Sequence, residues 1–437
     1  MAADEEKTDI PYKPIFGRVP EVMAGRSELL DRHVLALRSG PGDPLFTRVF
    51  VGERGVGKTA YLAVLERAMR EQHGWIVLHH QAREDESAIP DLLTRLPDAT
   101  TAAWGGRGRG QRELQRELTV EVNAAIVKVS GRVSDPTPSA PDSALRGFER
   151  ALRKLGPRAT ERDSGILIAI DEAQVLNTNH LGELGAIAQV LAHEEDHPIA
   201  LALAGTRELT ELLLASGTFL ERQRPTELQM LTRDEASLAL IEPAAARGVR
   251  WEPDALKQVV DAARGYPYFI QLGGYHAWEH AAGATTITRA DADHASDQVI
   301  EEADRIFIQR WRRLGPAQKQ YLAAAAIAAA QAGGGIVRTG ALNATLGKTH
   351  AELTRVRSAL INDHRLLRAS SQGEIQFTIP RFADWLHAKL LADTDGSEFS
   401  SYLTTPRPPQ TLGPGDADRI RPRQTHHPDA NNPEPQR

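Results

Sequence analysis

The sequence predicts an α/β protein built on a parallel sheet, continued by a stretch of helices alone and then by a small α+β unit. Three observations carry this expectation. Apolar runs of strand character alternate with helical patterns from residue 46 to about residue 230, the layout of a sheet covered on both faces. From Thr232 only helical patterns follow, over 232–241, 253–264, 267–282 and 288–312. After Leu314-Gly315-Pro316 come three shorter helical segments and a strand–turn–strand.

In chain order, residues 1–20 hold Pro11, Pro14 and Pro20 and read as an extended arm. A helix over Ser27–Leu37 ends in the turn Gly40-Pro41-Gly42-Asp43-Pro44. A first strand, Phe46–Val51, leads into Gly52–Thr59 and a helix over Ala60–Arg70. A second strand is expected over Trp75–His79 and a helix near Asp85–Leu96. Residues 97–142 break the pattern and are expected to be an insertion. Gly105–Gly110 reads as a basic turn or a disordered loop, Leu118–Val133 as a loose hairpin, and Ser134–Pro141 as a Pro/Ser-rich linker. A helix over 143–155 restores order. Ile166–Ile170 is an uninterrupted apolar run, as buried parallel strands are. A helix over Leu181–His193 and a strand over Ile199–Ala204 complete the sheet, and the tail 393–437 is expected to be disordered.

Composition narrows the function. A chain of 437 residues, 41% hydrophobic and 25% charged, suits a soluble protein of about two or three domains. The absence of cysteine excludes disulfides, thiolate metal sites and cysteine nucleophiles, and suits a reducing, cytoplasmic setting. The acidic start Met1–Glu6 has no apolar core of a secretory signal, and the longest apolar stretch, Tyr321–Ala330, is too short to cross a bilayer. No membrane partner is expected. With 52 basic against 58 acidic residues, a net −6, nucleic-acid binding would have to come from a local patch.

Gly52-Glu53-Arg54-Gly55-Val56-Gly57-Lys58-Thr59 reads G-x-x-x-x-G-K-[ST] between a strand and a helix, the context a phosphate-binding loop requires. Its glycines let backbone N–H groups curl around an anion, and the following helix adds its positive end. Lys58 would face the β- and γ-phosphates of ATP, and the Thr59 hydroxyl would ligate Mg²⁺. The third strand runs directly into Asp171-Glu172-Ala173-Gln174. Paired with the loop, Asp171 would hold Mg²⁺ through water and Glu172 would polarise the attacking water. The next strand ends Ala204-Gly205-Thr206-Arg207. Thr206 either positions water or caps a helix; Arg207 either touches phosphate or is solvated. Arg222, in Phe219–Arg224, is a candidate arginine finger for a neighbouring subunit or a plain surface residue.

These motifs, with Met23-Ala24-Gly25-Arg26-Ser27-Glu28-Leu29 ahead of the first strand and Gly265-Tyr266-Pro267 among the helices, resemble AAA+ ATPases of the origin-recognition initiator type and related STAND-class signalling ATPases. The resemblance covers residues 20–392. It implies a P-loop core (21–230), a helical lid (231–313) and a winged-helix domain (314–392). ATP would be clamped between core and lid. Gly25, Arg26 and Pro267 would lie near adenine, Thr206 would be a first sensor and Arg264 a lid sensor. Pro267 equally suits a plain helix start.

The last unit supports a winged helix in its own right. Helices are expected over Pro316–Ala330, Gly340–Leu346 and Ala351–Asp363, with Leu353, Val356 and Leu360 as the buried stripe of the third, and a wing over Leu366–Phe377. Arg355, Arg357 and Asn362 fall off that stripe. Eight basic less four acidic residues leave Val337–Ala392 at +4, which suits double-stranded DNA contacted through Arg355 and Arg357. The alternative is a nucleotide switch whose winged helix docks a protein partner or a second copy.

Overall fold

The computed structural model describes residues 10–15, 17–84, 86–105, 109–130, 140–217, 219–332, 336–379, 381–392, 399 and 402. The chain divides into two compact units with the boundary between Gln309 and Arg310.

The first unit opens with α1 (Ser27–Ser39), β1 (Arg48–Val51), α2 (Lys58–His73), β2 (Ile76–Gln81), α3 (Ala88–Trp104), α4 (Arg109–Ser130) and α5 (Ala140–Thr160). Next come β3 (Ile166–Asp171), α6 (Thr178–Ala188), β4 (Ile199–Gly205), α7 (Glu208–Ala215) and β5 (Thr226–Glu227). The lid region holds α8 (Arg233–Ala245), β6 (Arg250–Trp251), α9 (Pro253–Ala263), α10 (Pro267–Ala281), β7 (Thr286–Ile287) and α11 (Arg289–Arg312). One five-stranded sheet has the order β2-β3-β4-β1-β5, every pairing parallel. Every residue of β3 and β4 is buried. Successive side chains go to opposite faces: Ile166, Ile168 and Ile170 join one core with Leu92, Leu118 and Leu152, while Leu167 and Ala169 join Tyr61, Leu62 and Leu65 in the other.

Two expectations about residues 97–142 are corrected. Position 97 is no boundary: α3 continues through Pro97, with Leu96 and Thr100 buried. Leu118–Ser130 is part of a helix, not a hairpin. The physical reason is the four-residue spacing of Leu114, Leu118 and Val122, which are buried in the same core as α3 and α5. A period near 3.6 defeats loose alternation when it faces a core. Residues 106–108 of the basic turn and 131–139 of the linker lie outside the described residues.

Segment 10–15 of the arm has neither helix nor strand and is packed on the lid. Tyr12 is 1% exposed; its hydroxyl donates to Leu240 O at 2.5 Å and accepts from Trp251 Nε1 at 3.3 Å. The backbone N–H of Lys13 donates to Gln271 Oε1 at 2.9 Å. The ring lies against Gly274, where an added Cβ would come within 2.6 Å of it.

The second unit contains α12 (Pro316–Ala332), β8 (Ile336–Arg338), α13 (Thr339–Leu346), α14 (His350–Asn362), β9 (Leu367–Ala369), β10 (Glu374–Phe377) and α15 (Phe382–Ala392). Its antiparallel sheet has the order β8-β10-β9, so the chain folds as a winged helix with the β9–β10 turn as its wing. Thr349 and Glu352 form a reciprocal capping box at the start of α14. Leu353 and Leu360 are buried as expected, and Val356 half-buried. The tail departs from expectation at Phe399, which stacks on Trp311 (5.2 Å between centroids) and meets Trp385 edge-on at 5.8 Å; Tyr402 also abuts Trp311. Aromatic burial anchors these two residues; residues 403–437 lie outside the described ones.

Candidate nucleotide-binding site

The sheet order makes the site. β4 lies between β1 and β3, with Val51 opposite Gly205 and Ile170 opposite Leu203. The carboxyl ends of three adjacent strands therefore deliver the Gly52–Thr59 loop, Asp171-Glu172 and Thr206 to one edge, where ligands of open α/β sheets bind. The loop's turns use Gly55 at φ +84° and Gly57 at φ +94°, left-handed values that a side chain resists. Lys58 is buried, and its Nζ donates to Gly52 O at 2.8 Å and Glu53 O at 3.0 Å. Burial pushes its pKa down, opposed by Glu172, Asp171 and Glu53.

Asp171 is 1% exposed. Its Oδ2 accepts from Thr59 Oγ1 at 2.7 Å and its Oδ1 from the backbone N–H of Glu172 at 2.8 Å. Burial raises its pKa despite both hydrogen bonds. A buried carboxylate beside a hydroxyl is a pair of hard oxygen donors, the kind a magnesium ion selects. Glu172 holds a left-handed backbone, φ 52°. Its Oε2 accepts from Gln174 Nε2 at 2.5 Å, while Gln174 Oε1 accepts from the backbone N–H of Thr206 at 3.0 Å. Thr206 Oγ1 in turn donates to Glu208 Oε2 at 3.2 Å.

The lid meets the loop through a side chain the sequence did not single out. A Cβ on Gly55 would lie 2.1 Å from the Tyr266 hydroxyl oxygen, so Tyr266 stands on the loop. Pro267 is half-buried at the first position of α10, the helix-start role, and Tyr266 is the residue of that motif at the phosphate loop. Gly25, at φ +68°, abuts Glu235 of α8, and the Arg26 guanidinium donates to Gln229 O. Burial lowers the Arg26 pKa, against the pull of Glu235. The segment Gly25-Arg26 thus lies along the first lid helix. A Cβ on Gly17 would be 3.8 Å from Thr59 Cγ2, which brings the arm to the loop too. Arg207 bonds Glu227 of β5 and lies 3.8 Å from Glu53, so it braces the loop.

The remaining candidates lie elsewhere. Arg264 ends α9 in a left-handed conformation. The Arg222 side chain is 84% exposed, 3.9 Å from Glu221. On α14, Arg355 is exposed. Arg357 is half-buried, donating to His350 Nε2 at 3.0 Å, with its charge acting on Tyr321. Gln174, Tyr266, Glu227 and the arm were not foreseen. Gln174 follows the acidic pair after one alanine, its one local clue; the others are set by distant partners.

Residues 48–213 match the family model described as an AAA domain, and residues 304–386 match a domain of unknown function (DUF8462). Residues 48–213 thus form a P-loop domain of the AAA type. No curated protein sequence matches the chain. Among solved structures it is similar to the ORC2 protein of Aeropyrum pernix, determined as ADPNP–ADP complexes, at 15% identity, covering 87% of this chain and 98% of that one with a TM-score of 0.52. It is also similar to the Walker-type ATPase paby2304 of Pyrococcus abyssi, at 16% identity, 83% and 95% coverage and a TM-score of 0.54. At these identities the likeness is one of fold. Neither of these two structures supports the signalling side of the resemblance. Among the described residues no helix is long and apolar enough to cross a membrane.

Proposed function

We propose that this protein binds ATP with Mg²⁺ between core and lid, hydrolyses it slowly, and uses the nucleotide state to govern DNA association through the winged helix. The observation that carries the reading is the convergence of Lys58, Thr59, Asp171 and Glu172, with Thr59 and Asp171 bonded at 2.7 Å. Lys58 exchanges its loop carbonyls for β- and γ-phosphate oxygens, and loop N–H groups hold the rest of the anion. Thr59 and Asp171 would hold Mg²⁺, which when bound supplies neutralising charge to the phosphates. A magnesium ion at that pair would take its other ligands from substrate and water. Glu172 accepts a proton from the attacking water, yielding ADP and phosphate. Thr206 and Arg207 border the γ-phosphate end, while Gly25, Arg26 and Pro267 flank the base.

A lid that contacts the loop through Tyr266 supports a switch, since the nucleotide then biases one core–lid arrangement. The ORC2 structure is of nucleotide complexes; the same ligand class is proposed here, in the cytoplasm. DNA contact is supported by the winged-helix topology, the local +4 and exposed Arg355. A rival reading, self-association or a protein partner, draws on Arg222, exposed enough to reach a neighbouring subunit. Two measurements test the proposal. Glu172→Gln should retain ATP binding and lose turnover. Duplex binding by fluorescence anisotropy should weaken log-linearly with salt and differ between ADP and a non-hydrolysable ATP analogue; a salt-independent or absent signal favours the protein partner.

A further inference from the structure

We infer that Gln174 is a positioning residue for hydrolysis: its amide links the Glu172 carboxylate to the end of β4 and holds that carboxylate in line with the attacking water. This rests on the reading of Glu172 as the base.

Gln174 is 8% exposed, in the short turn that follows Glu172. Its two hydrogen bonds fix its orientation. The Thr206 N–H can only donate and the Glu172 carboxylate accepts, so Oε1 must face β4 and Nε2 must face Glu172. The space is provided by Gly205, where any Cβ would lie 2.6 Å from Gln174 Oε1 and 2.9 Å from Leu209 Cδ2. Glu172, for its part, leaves β3 in a left-handed conformation, uncommon for a glutamate and concentrated at functional sites. A glutamate side chain otherwise samples several rotamers. The amide selects one and ties it to the strand end that borders the γ-phosphate, so displacement of Thr206 moves Glu172 with it.

A merely structural glutamine would lower stability and affect nucleotide binding and turnover alike. A positioning glutamine splits them. In the full-length protein, Gln174→Ala should reduce kcat by about 10- to 100-fold, the usual range for groups that orient a catalytic residue, with KM for ATP within about two-fold. Gln174→Glu, equal in size, keeps the acceptor for Thr206 but sets a carboxylate against Glu172, and should lose at least as much; it carries the test should the alanine variant fail to fold. The double variant Gln174→Ala/Glu172→Gln should be no slower than Glu172→Gln alone, because both act through one carboxylate. Additive losses, or a kcat unchanged in Gln174→Ala while Glu172→Gln abolishes turnover, would overturn the role of Gln174 and leave the hydrolytic reading intact. Wild-type protein that binds ATP without turnover would defeat the hydrolytic reading itself, and Gln174 with it.

Discussion

Gly55→Ala strikes the seam between phosphate loop and lid, and the structure separates its two costs. A non-glycine residue at φ +84° is disfavoured by about 1–2 kcal/mol. The new Cβ would also lie 2.1 Å from the Tyr266 hydroxyl oxygen and 2.3 Å from Cζ, so the ring must leave its place. Tyr266 is 6% exposed and packs on Phe269 at 4.8 Å between centroids. Displacing it forfeits part of a buried aromatic's transfer energy, about 1–3 kcal/mol. The expected total is about 2–5 kcal/mol, read as a lower urea midpoint at constant m. In a Tyr266→Ala background only the backbone term remains, about 1–2 kcal/mol, so the cycle should show a coupling of at least about 1 kcal/mol. Effects that add within about 0.5 kcal/mol would refute the contact between Tyr266 and the loop.

Three further outcomes follow from other parts of the molecule. Tyr12→Phe, which removes the bond to Leu240 O, should destabilise by about 0.5–1.5 kcal/mol and speed ADP release measured with a fluorescent analogue; unchanged release would mean the arm does not restrain the lid. Burial beside Arg48 and Arg32 pushes His33 down to about 4 from 6.5. Its folded pKa lies below the unfolded one, so its contribution of about 3 kcal/mol is present above pH 6.5 and lost as pH falls towards 4; thermal melts of His33→Phe should decline less over that window than wild type. Arg355→Ala should weaken duplex binding and reduce its salt slope by about 1 with stability unchanged, whereas Arg357→Ala should mainly lower the melting temperature of the winged helix. Equal effects on DNA from both would contradict the inward placement of Arg357.

The core was legible because its determinants are local. A buried parallel strand is a continuous apolar run, so β3 and β4 are visible as Ile166–Ile170 and Ile199–Ala204, within one residue of their observed ends. The phosphate loop is a single contiguous motif, and Asp171-Glu172 sits where its strand stops. What escaped is set by partners far along the chain. Tyr12 bonds a residue 228 positions away, and the prolines on both sides mark an extended arm without showing what it packs on. Tyr266 was passed over for Pro267 because its meeting with Gly55 depends on how the lid sits over the core. The two-residue β5 is too short to show a pattern. In α4 the four-residue spacing of buried Leu114, Leu118 and Val122 competes with the β-branched character of Val120 and Val122, which favours a strand. Gln174 was in plain view, but its role depends on Thr206, 32 residues on.

Calorimetric titration of a non-hydrolysable ATP analogue with magnesium tests the central claim most directly. The account predicts one site per chain in the wild-type protein, retained in Glu172→Gln and lost in Lys58→Ala. No heat from the wild type, or undiminished binding after Lys58→Ala, would contradict it.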